Sequence, residues 1–274
     1  MKILITNDDG FDAGGIKALI RTLKPYGELT IVAPKSAQSG MAMAVTMGHK
    51  PIAVKHMYTL PGEDWWYLDG TPASCVKYGI DNVMFPTKPD VVVSGINHGS
   101  NAATASIYSG TVGAAMEGAV NGIPGIGVSL DSFDPDADFS VVEQLFPPIF
   151  EKLTANMGRR FGCFYNVNFP NLPASEVKGV KVATMGMAHW EREFEDYEDF
   201  MARRGLVPSA EHMEYVRNAE EGEHIYIMAG EFTSNEGNPA SADHLLLEQG
   251  WITITPENID NTDYEDYRRL CGII

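Results

Sequence analysis

The chain has 274 residues, 44% of them hydrophobic, which is enough for one large domain or a domain with an appendage built around a sizeable core. Asp and Glu number 37 against 20 Lys and Arg, and the formal charge of -17 argues against nucleic-acid polymers and anionic lipid as partners. A phosphorylated substrate would need a local cation, and since the basic residues form no strong cluster, a bound metal is its expected source.

In chain order, residues 2–6 read as a short apolar strand, and Ile16, Leu19, Ile20 and Leu23 then mark one face of a helix that Pro25 and Gly27 stop. Residues 29–33 are a second strand ending at Pro34, and 90–94 (DVVVS) a nearly uninterrupted apolar strand of the kind buried on both faces of a parallel sheet. A helix of small residues spans 110–121, closed by Gly122 and Pro124, and 126–130 follows as another buried strand. This alternation predicts βαβ crossovers and an α/β, Rossmann-like, doubly wound, mostly parallel sheet. Beyond Phe139 come a helix interrupted at Pro147 and Pro148, strands at 163–169 and 177–183, and a strongly charged stretch, 190–223, that reads as a solvated face or exposed arm. Strands at 225–232 and 251–255 and a short helix at 264–270 complete the chain. The expected division is a core of 1–185 and a C-terminal β/helical extension of 186–274 whose later strands return to the core.

Three cysteines, Cys75, Cys163 and Cys271, lack CxxC spacing and suggest a reducing compartment. The N-terminal run lacks the long apolar stretch of a signal peptide and no apolar run reaches membrane-spanning length, so the cytoplasm is the expected location.

In an open parallel sheet, the loops that leave the carboxyl ends of the strands share one crevice. Three such loops are polar here: Asn7-Asp8-Asp9-Gly10, residues 34–40 (PKSAQSG), and residues 94–101 (SGINHGSN). Adjacent carboxylates at a buried strand end repel one another, and a hard divalent cation resolves the conflict. Asp8, Asp9, the Ser39 hydroxyl and the Asn97 amide oxygen form an oxygen-only set that suits Mg2+, Mn2+ or Ca2+ better than zinc. The competing reading of Asp8 and Asp9 is that they cap the next helix. Residues 108–115 (YSGTVGAA) open a helix with hydroxyls and glycines, so Ser109, Gly110 and Thr111, with Gly40 of the second loop, are the expected phosphate contacts. No P-loop lysine is present. His98 and Lys35 lie in these loops and could contact a phosphate or protonate a leaving group, although loop side chains of this kind are more often solvated, and His189, His212, His224 and His244 show no ligand spacing. Trp65, Trp66 and Tyr67 read as core or interface material.

Taken together, NDDG with Gly15, Ile16 and Leu19 behind it, AP followed by QSG, GTP at 70–72, PDVVVSGIN and YSGTVGAAMEG resemble the SurE family, and the resemblance returns in NVNFP at 166–170, GWITITP at 250–256, Asp260 and Thr262. The resemblance implies a Rossmann-like core with one divalent ion, Mg2+ or Mn2+, per subunit on the positions matched by Asp8, Asp9, Ser39 and Asn97. It also implies hydrolysis of nucleoside 5'- and 3'-monophosphates, and a homodimer or homotetramer built through C-terminal elements. The chain departs from the family pattern at Ser74, where Asp is usual after GTP-Ala, and in the acidic middle. On this reading the ion neutralises charge on the phosphate and lowers the pKa of the attacking water, with Asp8 or Asp9 as the base. Two rivals are weaker: an aspartyl-phosphate phosphatase, whose DxDx[TV] order is absent, and a receiver-like magnesium-binding module, whose acceptor Asp is missing after DVVVS.

Overall fold

The computed structural model describes residues 1–48, 50–157 and 161–274. Buried apolar runs form β1 (Lys2–Thr6), β2 (Glu28–Pro34) and β5 (Val91–His98), between which lie α1 (Gly14–Leu23), the exposed β3 (Val54–Leu60), β4 (Glu63–Leu68) and α2 (Pro72–Tyr78). Then follow α3 (Ala105–Tyr108), α4 (Gly110–Val120), β6 (Gly125–Leu130), α5 (Ser140–Asn156), β7 (Cys163–Phe169) and β8 (Val180–Val182). The remainder comprises β9 (Ala188–Glu191), β10 (Phe194–Asp196), α6 (Tyr197–Arg204), α7 (Ala210–Arg217), β11 (Tyr226–Met228), β12 (Glu231–Ser234), α8 (Asp243–Glu248), β13 (Ile252–Asn258) and α9 (Tyr264–Cys271).

Among the described residues the main sheet has nine strands in the order β3-β4-β2-β1-β5-β6-β7-β13-β8. From β4 to β7 every pairing is parallel, while β3 and β13 run antiparallel to their neighbours β4 and β7. The fold is therefore the mostly parallel α/β sheet that the sequence predicts. Successive strands step outward from β1 in opposite directions, to β2 on one side and β5 on the other, and this reversal opens a crevice at their carboxyl ends. Ile3, Ile5, Ile16, Leu19, Ile31, Val93, Val128 and Phe146 build the larger core on one face, and Leu4, Val32, Val76 and Val92 a second core on the other.

The chain forms two compact units, residues 1–186 with 239–274 and residues 187–238. In the second unit β10 pairs with β11 and β12 with β9, both antiparallel, and Asp196 and Ser209 cap α6 and α7 through backbone N–H groups. The single strand expected at 225–232 is two strands with different partners. The helix expected to break at Pro147 and Pro148 runs unbroken. Its stripe of Val142, Phe146, Ile149 and Phe150 is buried, and burying four large apolar side chains, about 1.5–3 kcal/mol each, outweighs the lost N–H donors. No helix among the described residues is long and apolar enough to cross a membrane.

Glu257, on β13, receives the Asn166 amide N–H at 3.1 Å. Burial, reinforced by the charge of Asp243, pushes its carboxyl up to about 7 against the pull of that hydrogen bond. A carboxyl raised in the folded state contributes stability that is present below the unfolded value, near 4.5, and lost as pH rises through about 7. Glu257→Gln keeps the bond and removes the titration, so its thermal midpoint relative to the parent should be higher at pH 8 than at pH 5. Parallel thermal melts at the two pH values check this.

Candidate functional site

Strand β1 delivers Asn7, Asp8 and Asp9 to the crevice. The Asn7 amide donates to the Gly10 carbonyl at 2.9 Å and closes the turn, and the Gln38 N–H donates to the Asp8 carbonyl at 2.7 Å. That bond brings the loop after β2, which carries Ser39 and Gly40, against the carboxylate pair; both residues are exposed there. Strand β5 extends past the expected Ser94 to His98, with a register shift against β6 between Ser94 and Asn97. The Asn97 amide nitrogen donates to the carbonyls of His98 and Gly99 at 3.1 and 2.8 Å, so its oxygen is the end left to accept or ligate. The next residue, His98, meets Asp9 through both its backbone N–H and its ring.

Asp8 is only 3% exposed. The Thr111 hydroxyl donates to one of its oxygens at 2.7 Å and the Thr111 N–H to the other at 3.3 Å. Burial pushes its carboxyl up to about 6, Asp9 adding in the same direction and the Thr111 bonds opposing. The first turn of α4 packs directly on this carboxylate: a Cβ added at Gly110 would lie 2.9 Å from the Asp8 Cβ and 3.1 Å from its Oδ2. One turn further on, a Cβ at Gly113 would lie 2.2 Å from the Ala42 carbonyl, so the absence of side chains there lets the loop after β2 dock on the helix.

Thus the four segments singled out by sequence meet at one edge of the sheet. The expected phosphate contacts have structural partners as well: the Ser109 hydroxyl accepts the Val112 N–H at 3.1 Å as the cap of α4, and the Thr111 hydroxyl is committed to Asp8. Lys35 is exposed. His98, read from sequence as solvated, instead has a ring that is 20% exposed and bonded to Asp9. The only sequence signal for that role was its place beside Asn97. Ser74, the departure from the family pattern, accepts the Thr46 N–H at 2.9 Å and bonds Thr71 at 2.9 Å, while Thr71 donates to the Ala44 carbonyl, so the hydroxyl pair fastens the loop that carries Ser39.

Behind the crevice lies a buried polar layer that sequence reasoning missed. The Asn101 N–H donates to the Asn168 side chain and its amide to Ser129, both at 2.8 Å, and Asn166 donates to the Asn101 carbonyl at 2.8 Å. Asp243, fully buried on α8, accepts the N–H groups of Ala103 and Gly186 at 3.0 and 2.9 Å and the Thr255 hydroxyl at 3.1 Å. Buried amides of this kind need complete pairing, which fixes the path of residues 99–103.

Thr111→Val deletes the shorter bond to a buried carboxylate, a loss of about 1.5–3 kcal/mol for a charge-assisted bond. We expect manganese affinity to drop by about tenfold or more and the metal-free thermal midpoint to fall. Calorimetric titration beside a thermal melt checks both, and parent-like affinity would show that Asp8 needs no support from α4.

Two carboxylates together with hydroxyl and amide oxygens suit a hard divalent cation, and the Asn97 amide, whose nitrogen is spent on two backbone carbonyls, leaves its oxygen as a neutral donor of the kind such an ion takes. Among the described residues no three His, Cys, Asp or Glu side chains group as a metal site, so the cation would depend on the neutral oxygens as well as the carboxylate pair.

A family model described as survival protein SurE matches residues 3–192. The 5'-nucleotidase SurE of Christiangramia forsetii is 36% identical over 98% of this chain and 95% of its own length. That of Pelotomaculum thermopropionicum is 38% identical over 98% and 94%. The crystal structure of the SurE protein from Aquifex aeolicus superimposes with a TM-score of 0.78 at 31% identity, covering 100% of this chain and 99% of that one.

Proposed function

The chain belongs to the SurE family, and from that premise we propose that it is a metal-dependent 5'-nucleotidase that hydrolyses nucleoside 5'-monophosphates, with 3'-monophosphates as a second substrate class, to nucleoside and phosphate. The observation that carries the proposal is the Asp8–Asp9 pair at the β1–β5 crevice, one carboxyl buried beside the charge of the other, with the Asn97 amide oxygen at the same strand end. Asp8, Asp9, Ser39 and Asn97 would hold one Mg2+ or Mn2+ per subunit. When bound, the cation neutralises charge on the phosphate and makes water a stronger acid. The protein's own groups do the rest. Thr111 keeps Asp8 fixed through its hydroxyl and its N–H, and the start of α4, between Ser109 and Thr111, offers the Gly110 N–H and a positive helix end to the phosphate, with Gly40 as the further contact. Asp9 is less buried than Asp8, with 20% of its side chain exposed, and this favours it as the carboxylate that orients or deprotonates the attacking water.

The test is hydrolysis of nucleoside 5'- and 3'-monophosphates and an aryl phosphate, with chelator and with each divalent metal restored. We expect activity to vanish with chelator and return with manganese or magnesium. Activity indifferent to chelator would overturn the metal dependence, and stable phosphorylation of the protein by acetyl phosphate would favour a phospho-acceptor module instead.

The same reading includes a cytoplasmic location and a homodimer or homotetramer. Helix α9 has no buried side chain and exposes Tyr264, Tyr267 and Leu270, an apolar face that suits a second copy. Light scattering should give a multiple of 30.0 kDa; a stable monomer rejects the assembly.

A further inference from the structure

His98 closes β5, in register with Leu130 of β6. Its ring stands edge-on to Phe139, centroids 5.0 Å apart at 82°, and Phe139 is itself buried in the larger core. The ring plane is therefore set by packing from behind. In that plane Nδ1 lies 3.2 Å from Oδ2 of Asp9, and the backbone N–H of the same histidine donates to the same oxygen at 3.4 Å. A bare Nδ1 would set its lone pair against those of the carboxylate oxygen, so Nδ1 carries the hydrogen and donates. The other ring nitrogen, Nε2, is buried and meets no hydrogen-bond partner among the described residues. A solvated loop histidine would keep that nitrogen in water. Here it is shielded, and among the described residues the hydrogen bond of the ring goes to Asp9.

We propose that His98 is a positioning residue for Asp9: its ring Nδ1–H and its backbone N–H hold one carboxylate oxygen and thereby turn the other toward the cation. The proposal rests on the reading of Asp9 as a metal ligand. Two donors on one oxygen fix the carboxylate rotamer that a longer search of side-chain conformations would otherwise have to find, and a partner that orients a ligand in this way typically accounts for about ten- to a hundredfold in metal affinity. The neighbouring Asn97 contributes its amide oxygen from the same strand end, so β5 supplies one proposed ligand and the clamp for another on successive residues.

Three substitutions separate the hydrogen bond from packing. Asn places its amide nitrogen where Nδ1 stands, Gln places its own where Nε2 stands, and Ala supplies neither. Calorimetric titration with Mn2+ should show His98→Ala weakened by about ten- to a hundredfold, His98→Asn restored to near the parent, and His98→Gln as weak as Ala. Metal-free thermal midpoints are measured alongside. The proposal is overturned if His98→Ala binds Mn2+ as tightly as the parent, if Gln rescues as well as Asn, if Asn is no better than Ala, or if affinity merely follows the midpoint across the three variants. Asp9→Asn in the same titration distinguishes the two levels of failure. Parent-like binding by Asp9→Asn removes the metal site itself; weak binding there with parent-like His98→Ala removes only the positioning role.

Discussion

Asp9→Asn is expected to cut turnover of a nucleoside 5'-monophosphate by about a hundred- to a thousandfold, the usual scale for losing a charge aimed at the reacting centre, and to remove most of the manganese affinity. The fold should survive. Asn has nearly the shape of Asp, and deleting the charge relieves the repulsion that helps to raise the Asp8 carboxyl, so the metal-free melting temperature should equal or exceed that of the parent. His98 remains able to donate to the amide oxygen. Steady-state hydrolysis, calorimetric titration with manganese and a thermal melt together check the expectation. A variant that binds manganese and turns over like the parent would mean that the acidic pair serves only to tie the end of β1 to α4 and β5 through Thr111 and His98.

Gly110→Ala is expected to damage the same site without removing any polar group. The new methyl would lie 2.9 Å from the Asp8 Cβ and 3.2 Å from a ring carbon of Pro72, and neither neighbour is a flexible chain end. Asp8 issues from the central strand and Pro72 opens α2, so either α4 or the carboxylate must move. A displacement of about 1 Å in a positioned group costs on the order of a hundredfold in rate, and overpacking costs roughly 1–3 kcal/mol in stability. We therefore expect both a lower thermal midpoint and a loss of activity that saturating manganese does not restore. An alanine variant with the parent's midpoint and turnover would show that α4 has slack against β1.

The crevice itself was legible because its strands are. Runs such as KILIT and DVVVS are apolar without alternation, which only a strand covered on both faces tolerates, and the polar residues after them fall at its carboxyl end. By contrast, β3 and β4 carried little pattern: β3 is an exposed edge strand, so its side chains face water and no apolar period is imposed on VKHMYTL. The break expected in α5 was a local rule outweighed by a buried stripe. Roles within the site were harder. Thr111 looked like a phosphate contact because hydroxyls at a helix start often are, yet its hydroxyl spans 103 positions of sequence to reach Asp8.

By itself, then, the sequence determined which residues stand at the ends of the central strands, since burial of the strand dictates its composition and the loop that follows is free to be polar. It also carried the family, through NDDG, SGIN and YSGT in fixed order. Only the tertiary structure decided which donor holds which carboxylate. Thr111 serves Asp8 and His98 serves Asp9, contacts across 103 and 89 positions, and a hydrogen bond between distant residues leaves no periodicity in either segment. The raised carboxyl of Asp8 belongs to that level as well, because burial depends on the whole sheet and the helix packed over it, and no short stretch of sequence encodes its depth.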